Sequence, residues 1–177
     1  MKNPSRLTML LAAFVALTSY APAQQQKQPE GQGEQDPLVQ MVRNATTQYV
    51  DNVNAAASAG YSPVLGCVSG SDHGAMGVHY VNTSLLNGPI DPTQPQALIY
   101  EPSSNGQYKL VGVEFIILAS ALPANSAPEV EGHLMSYIDS PNRFGLPPFF
   151  ELHVWAWRAN PQGPFVDWNN HVSCAQQ

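Results

Sequence analysis

The chain has 177 residues, a formal net charge of −6 at pH 7, and a composition of 44% hydrophobic and 11% charged residues. A chain of this length suits one domain with a substantial hydrophobic core. An acidic surface repels phosphate backbones and anionic lipids, so the composition argues against nucleic-acid binding and against adsorption to membranes.

Residues 1–23 have the three parts of a secretory signal peptide. Lys2 and Arg6 form the positive start, Leu7–Leu17 is apolar, and Ala21-Pro22-Ala23 matches a cleavage site. The apolar run is shorter than the roughly 20 residues that span a membrane, so an uncleaved anchor is the weaker alternative. We therefore predict a secreted or periplasmic protein without a membrane span after cleavage, and the loss of Lys2 and Arg6 takes the formal charge from −6 to −8.

The next segment, residues 24–35, is polar, rich in Gln and Gly, and without an apolar face, so we predict a disordered linker. A single globular domain is expected over residues 36–177. It begins with a helix that has Asp36 as N-cap and ends at Gly60. Its apolar side chains recur at a spacing typical of a helix packed on a sheet: Leu38, Val42, Ala45, Tyr49, Val53 and Ala56.

A glycine-rich loop, Gly66–Gly77, follows the helix. It has neither a Walker lysine nor a G-x-G-x-x-G pattern, so a phosphate site is poorly supported. Four strands are predicted after it, the middle two joined by a hairpin turn: Val78–Val81, Ala97–Glu101, Tyr108–Leu118 and Phe149–Arg158. The connection 119–142 is a candidate lid or sheet edge. These elements predict an α+β fold, with the N-terminal helix packed on an antiparallel curved sheet or a small open, cupin-like barrel.

Three of these strands each carry one side chain that can bind a metal, within an apolar run: His79, Glu114 and His153. Strand alternation places Glu114 on the same face as Leu110 and Ile116, and a carboxylate buried there needs a cation, a metal or a hydrogen-bond donor. Two imidazoles and one carboxylate are a donor set that zinc, iron, manganese or copper accepts, with positions left for water or substrate. We therefore predict a transition-metal site at these three residues.

Other arrangements remain open. The three side chains lack H-x-H or H-E-x-x-H spacing, so a buried polar network without metal is equally compatible with the sequence. His73 in the glycine-rich loop is a candidate fourth ligand, whereas His133 and His171 are typical of surface histidines. Glu151 is a candidate acid/base partner of Glu114, as in glycosidases, but the two residues lie on different strands.

Aromatic and sulfur-containing residues add two further expectations. Tyr80, Trp155 and Trp157 are candidate ligand-binding residues for a flat or sugar-like molecule, although tryptophans in a small domain are more often core residues. Cys67 and Cys174 are the only cysteines, and an even count in an oxidising compartment favours a disulfide. Neither lies in a C-x-x-C motif, which argues against redox catalysis and haem attachment.

Four blocks of the chain resemble a group of uncharacterised exported bacterial proteins: GAMGVHYVN (Gly74–Asn82), PQALIYEP (Pro95–Pro102), LVGVEF (Leu110–Phe115) and LHVWAWRANPQGPFVDWNNHVSC (Leu152–Cys174). Those proteins share an alanine-rich first helix that ends in Gly-Tyr, as at Gly60-Tyr61 here. The resemblance covers residues 40–174, implies a bacterial source and brings no activity with it. It also implies which positions belong to shared motifs: His79, Glu114, His153, Cys67 and Cys174, but not His73, His133 or His171.

Three functions follow as hypotheses. The leading hypothesis is an exported protein that binds a transition metal through His79, Glu114 and His153, and that acts on a small molecule as a metalloenzyme. The second is a non-catalytic binding module that uses the aromatic face around Trp155 and Trp157. The third is a structural envelope protein stabilised by its disulfide.

Overall fold

The computed structural model describes residues 35–175 of the chain. The predicted signal peptide, residues 1–23, and residues 24–34 of the predicted linker lie outside that range. Among the described residues, no helix combines the length and the apolar character that crossing a membrane requires.

Two short helices replace the single N-terminal helix that the apolar spacing predicts: α1 (Pro37–Thr46) and α2 (Val53–Ser58), separated by a 3-10 helix at Thr47–Tyr49. Asp36 caps α1 as expected, accepting a 2.9 Å hydrogen bond from the amide of Leu38. Asn52 caps α2 through the amide of Ala55, so a local side-chain hydrogen bond interrupts the longer apolar pattern. The predicted end is confirmed at Gly60, whose φ is +92°.

Nine strands follow in residues 35–175: β1 (Ser62–Pro63), β2 (Val68–Ser69), β3 (Ala75–Val81), β4 (Ala97–Pro102), β5 (Tyr108–Leu118), β6 (Glu129–Val130), β7 (His133–Leu134), β8 (Ser136–Ile138) and β9 (Phe149–Val154). The main sheet is antiparallel, in the order β1-β3-β4-β5-β9-β8, with β2 also paired to β3. The sheet is open, with β1 and β8 at its edges. The α+β class is therefore confirmed, but the sheet does not close into a cupin-like barrel.

The last strand and the long connection before it differ from expectation. β9 ends at Val154 rather than at Arg158, because the amide of Trp155 leaves the ladder and donates to the carbonyl of Pro164. The connection 119–142 contributes an edge of the main sheet. It contains the hairpin of β6 and β7, and β8 pairs with β9 along the border of the main sheet.

The sheet has two differently covered faces. One face forms the main core with α1: Leu38, Val39, Val42, Tyr100, Val113 and Phe115. The opposite face carries two smaller clusters: Ala75, Ile99, Val111, Trp155 and Val172 in one, and Val81, Ala97, Ile116 and Phe149 in the other. Loops and the C-terminal tail cover this second face, and the candidate site lies on it.

A bulge in β5 decides which side chains reach each face. The pairing with β4 skips one residue of β5, Val111. As a result Leu110 packs in the core beneath α1, while Glu114 lines the opposite face. The expectation that these two residues share a face is therefore wrong. The carbonyl of the bulged residue accepts hydrogen bonds from the amides of Trp157 and Arg158.

The C-terminal tail is fixed to the rest of the molecule by covalent and polar contacts. Cys67 and Cys174 form the predicted disulfide, which bridges 107 residues. Glu101 on β4 pairs with Arg158 and accepts a 2.9 Å hydrogen bond from the amide of Ser173. These contacts therefore fix the tail near its start, at Arg158, and near its end, at Ser173 and Cys174.

Removing the disulfide by substituting Cys67→Ser and Cys174→Ser together should lower the free energy of unfolding by about 4 kcal/mol. The reason is that the bond restricts the unfolded chain by closing a loop of 107 residues. Urea unfolding followed by tryptophan fluorescence measures the loss. Reducing agent is the control: it should lower the free energy of unfolding of the unchanged protein by the same amount and leave that of the variant unaffected. An unfolding midpoint that does not move in the variant would contradict this prediction.

Candidate metal centre

Neighbouring strands bring His79, Glu114 and His153 together, as the sequence predicts. Glu114 on β5 pairs directly with His153 on β9 and, on its other side, with Ala97 on β4. His79 lies on β3, beyond β4. Because Ala97 has only a methyl side chain, the imidazole of His79 can reach across β4 to the carboxyl group.

The ligand atoms of the three residues converge on one buried volume. Nε2 of His79 lies 3.4 Å from Oε2 of Glu114 and 3.5 Å from Nε2 of His153. The donor atoms of all three lie within 4.8 Å of one another. The exposed fractions of His79, Glu114 and His153 are 8%, 4% and 1%. This group could hold a metal ion.

Burial keeps both imidazoles uncharged. Desolvation lowers the pKa of His79 to about 4, although a hydrogen bond with the backbone of Gly77 offsets part of the effect. Desolvation and the neighbouring His79 together lower the pKa of His153 to about 3. At neutral pH both rings are therefore in the form that coordinates metals.

Glu114 does not stand alone, because the carboxyl group of Glu151 forms a hydrogen bond with it. Burial raises the pKa of Glu114 well above its usual range, and the charge of Glu151 raises it further. Burial raises the pKa of Glu151 as well. A hydrogen bond between two carboxyl groups requires a proton on one of them, so the pair shares one. Direct contact also excludes the glycosidase arrangement, in which the two groups stand about 5 Å or more apart.

Asp167 completes the cluster, and the sequence analysis missed it. Nδ1 of His153 is buried without a hydrogen-bond partner and faces Oδ1 of Asp167 at 3.7 Å. Together with Glu151, these two residues form a second group of donors within 4.8 Å. Asp167 lies in the tail, which reaches the site through the antiparallel bridge between Ala75 and Asn169. Strand periodicity does not predict that a side chain in such a tail reaches the site.

A cavity opens directly in front of the three donors. It encloses about 450 Å³, including space open to solvent, and His79, Glu114 and His153 are its only polar lining residues within the described chain. The remaining lining is apolar and includes Val64, Leu65, Ile116, Phe144 and Phe149. The donor group is therefore accessible from outside through an apolar passage.

The other histidines lie away from the centre. His73, the candidate fourth ligand, is exposed, and its ring centroid is 6.4 Å from that of Trp168. It is not among the converging donors. His171 is exposed, as expected, and contacts the carbonyl of Ala159. His133 is half-buried, because it packs on Phe165 and lies 3.3 Å from the carboxyl group of Asp36.

The three candidate ligand-binding aromatic residues do not form one face. Tyr80 belongs to the core beneath α1. Trp155 is buried on the opposite side, where its indole nitrogen donates to the carbonyl of Val166 and its ring stacks on His153 with centroids 6.1 Å apart. Trp157 donates a 3.0 Å hydrogen bond to Oγ1 of Thr46. Each side chain is therefore used in packing.

Comparisons of the chain with protein-family models, curated proteins and solved structures found no match. The resemblance to exported bacterial proteins stays a prediction. The geometry of the site therefore has to carry the functional conclusion.

Without metal, the histidines and the carboxyl groups of the site should make the free energy of unfolding depend on pH in opposite directions. The double substitution Glu114→Gln and Glu151→Gln removes the contribution of this carboxyl pair and keeps that of the two histidines, while the raised pKa of Asp167 is common to both variants compared here. Because the folded-state pKa values of about 4 for His79 and about 3 for His153 lie below the value of about 6.5 in an unfolded chain, the unfolded state binds more protons between these limits. Stability should be complete above pH 6.5 and be lost as the pH falls towards 4.

The converse variant, His79→Gln with His153→Gln, keeps the raised carboxyl pKa values. Its folded state binds the extra protons, so the carboxyl contribution is present below about pH 4.5 and is lost as the pH rises through the folded-state values. Urea unfolding of chelator-treated protein between pH 4 and pH 8 measures both variants. Slopes of the same sign in the two variants would contradict these pKa directions.

Proposed function

We propose that the chain binds one transition-metal ion through Nε2 of His79, Nε2 of His153 and a carboxylate oxygen of Glu114, and that a small molecule reaches the ion through the cavity. The observation that carries this proposal is the convergence of three buried donors at separations that suit a shared ion. The disulfide is compatible with the predicted export to an oxidising compartment.

The separations of the donor atoms favour a metal over a hydrogen-bond network. Hydrogen bonds from nitrogen to oxygen have a typical length of about 2.9–3.0 Å, shorter than the 3.4 Å between His79 and Glu114 and the 3.5 Å between the two imidazoles. Donors at about 2.0–2.1 Å from a tetrahedral ion lie about 3.3 Å apart, and neighbouring donors around an octahedral ion about 2.9 Å apart. These two separations suit a four-coordinate ion, the geometry that Zn²⁺ prefers, and the third, between Glu114 and His153, lies within 4.8 Å.

The protonation states also suit a bound cation. Both imidazoles are neutral, and a cation beside Glu114 favours its ionised form. The proton shared with Glu151 then rests on Glu151, which donates its hydrogen bond to the Glu114 carboxylate. A protonated Glu151 therefore orients Glu114 without adding a second negative charge.

Groups of the kind that surround metal ligands lie beside both histidines. A ligating histidine usually donates its second ring N–H to a carboxylate or a backbone carbonyl, which fixes its tautomer and orientation. The backbone of Gly77 takes this place for His79, and Asp167 faces Nδ1 of His153. Gly77 has a φ of +92°, and a side chain there would meet the carbonyl of Tyr100, so this backbone contact depends on glycine.

Three protein ligands leave one position of a tetrahedral ion for water or substrate, as in catalytic zinc sites. When bound, such an ion supplies Lewis acidity and lowers the pKa of a coordinated water molecule. The proposed function is therefore that of a small exported metalloenzyme of the hydrolytic class, in which Asp167 and Glu151 act as positioning residues.

The protein exported without a histidine tag should contain one equivalent of transition metal. His153→Ala, His79→Ala and Glu114→Gln should each lower the affinity by more than the roughly 10- to 100-fold that loss of an outer partner costs, because each removes a direct ligand. Elemental analysis and competition with a chromogenic chelator measure content and affinity.

His73→Ala is the matched control, since it removes an exposed histidine of the same region and should leave the metal content unchanged. Circular dichroism establishes that each variant is folded. If the protein holds no stoichiometric metal, even after reconstitution with Zn²⁺, Fe²⁺, Mn²⁺ and Cu²⁺ in turn, the proposal is wrong.

The outer carboxylate gives a separate prediction. Asp167→Asn should weaken metal binding about 10- to 100-fold without abolishing it, because the carboxyl group that faces Nδ1 of His153 becomes a neutral amide while all three ligands remain. Asp72→Asn, at an exposed aspartate, is the control. Chelator competition at pH 7 measures the affinities, and equal values for the two variants would argue against a role for Asp167.

A further inference from the structure

The cavity in front of the donor group has a lining that selects among ligands. Apart from the three proposed metal ligands, its described lining contains no side chain that carries a charge or a hydrogen-bonding group. A sugar, a phosphate ester or a peptide would bury hydroxyl, phosphate or amide groups there without partners, at a penalty for each. The cavity therefore suits a molecule that is apolar except at one end.

The mouth of the cavity has the same character. Val64 and Leu65, in the segment after β1, are 48% and 37% exposed and lie at the rim. Phe144 and Leu146, in the connection between β8 and β9, contribute to the lining. Large apolar side chains that reach solvent at a cavity mark a surface for apolar ligands.

The charge of the centre specifies the polar end. A divalent ion bound by two neutral imidazoles and the Glu114 carboxylate keeps one net positive charge. Asp167, beside Nδ1 of His153, compensates part of this charge, but it is not part of the cavity lining and does not take a position on the ion. A single negative charge on the ligand would pair directly with the ion in an apolar surrounding, where an unpaired charge is unfavourable.

We propose, building on the metal site above, that the ligand of this centre is a short aliphatic monocarboxylate or its precursor, with the carboxyl oxygen at the ion and the hydrocarbon chain along Ile116, Phe144 and Leu65. Hydrolysis of an ester or amide of such an acid would give this carboxylate as its product, which matches the hydrolytic class proposed for the ion. Water adds across the acyl bond, and the alcohol or amine leaves with the proton.

The test uses protein loaded with Co²⁺, whose visible spectrum reports a new ligand on the ion. Acetate, butanoate and hexanoate are titrated, with hexanedioate and inorganic phosphate as polar comparisons. Affinity should rise about fourfold for each added methylene, as expected for burial of a CH₂ group. Hexanedioate should bind far more weakly than hexanoate, because its second carboxylate would enter an apolar cavity.

Leu65→Asn should weaken the binding of hexanoate about tenfold and leave that of acetate unchanged. Leu134→Asn is the matched control, because Leu134 is 66% exposed and is not part of the cavity, and it should change neither value. Both variants should keep one equivalent of metal.

Two results would overturn this inference and leave the metal site standing: an affinity independent of chain length in metal-loaded protein, or tighter binding of phosphate or hexanedioate than of hexanoate. If the protein binds no metal, the proposed function fails together with this inference, and the elemental analysis separates that case from the others.

Discussion

The burial of ionisable groups is the main energetic constraint on the loop-covered face of this sheet. His79, His153, Glu114 and Glu151 are all buried there, and full burial of a charge is unfavourable unless a partner compensates it. The protein reduces this charge: both imidazoles are neutral, and the two carboxyl groups share a proton, so that the pair keeps a single negative charge. The metal ion proposed above would compensate that remaining charge.

Sheet geometry makes this group possible. Direct pairing of β5 with β9 places Glu114 opposite His153, and the small Ala97 on β4 leaves room for His79 to join them. Because the bulge skips Val111, the side chains of β5 that follow it alternate so that Glu114 lies on the face opposite the main core. The face beneath α1 forms the main hydrophobic core, whereas the opposite face is covered by loops and carries the cavity.

The sequence predicts the local features of this structure well and the long-range features poorly. Alternation of apolar residues identifies β5 at its observed ends, and the burial of a carboxylate in such a strand singles out Glu114. The pairing of Cys67 with Cys174 also follows from the count of cysteines. The helix break at Asn52 was missed because one side-chain hydrogen bond overrides an apolar period. Asp167 was missed because only tertiary contacts bring a tail residue to His153. The candidate aromatic residues lie on two sides of the sheet, because Tyr80 packs in the core beneath α1 and Trp155 in the opposite cluster.

The separation of 74 positions between His79 and His153 in the sequence determines when the proposed centre can form. A pair of ligands one helical turn apart can retain an ion in a partly folded chain, but here no short segment contains two of the three donors. The donor set appears only when β3, β4, β5 and β9 have paired, so the proposed uptake of an ion would follow sheet formation. With the predicted export, the ion would then come from the compartment of arrival, and the metal supply there would decide which ion the proposed centre binds.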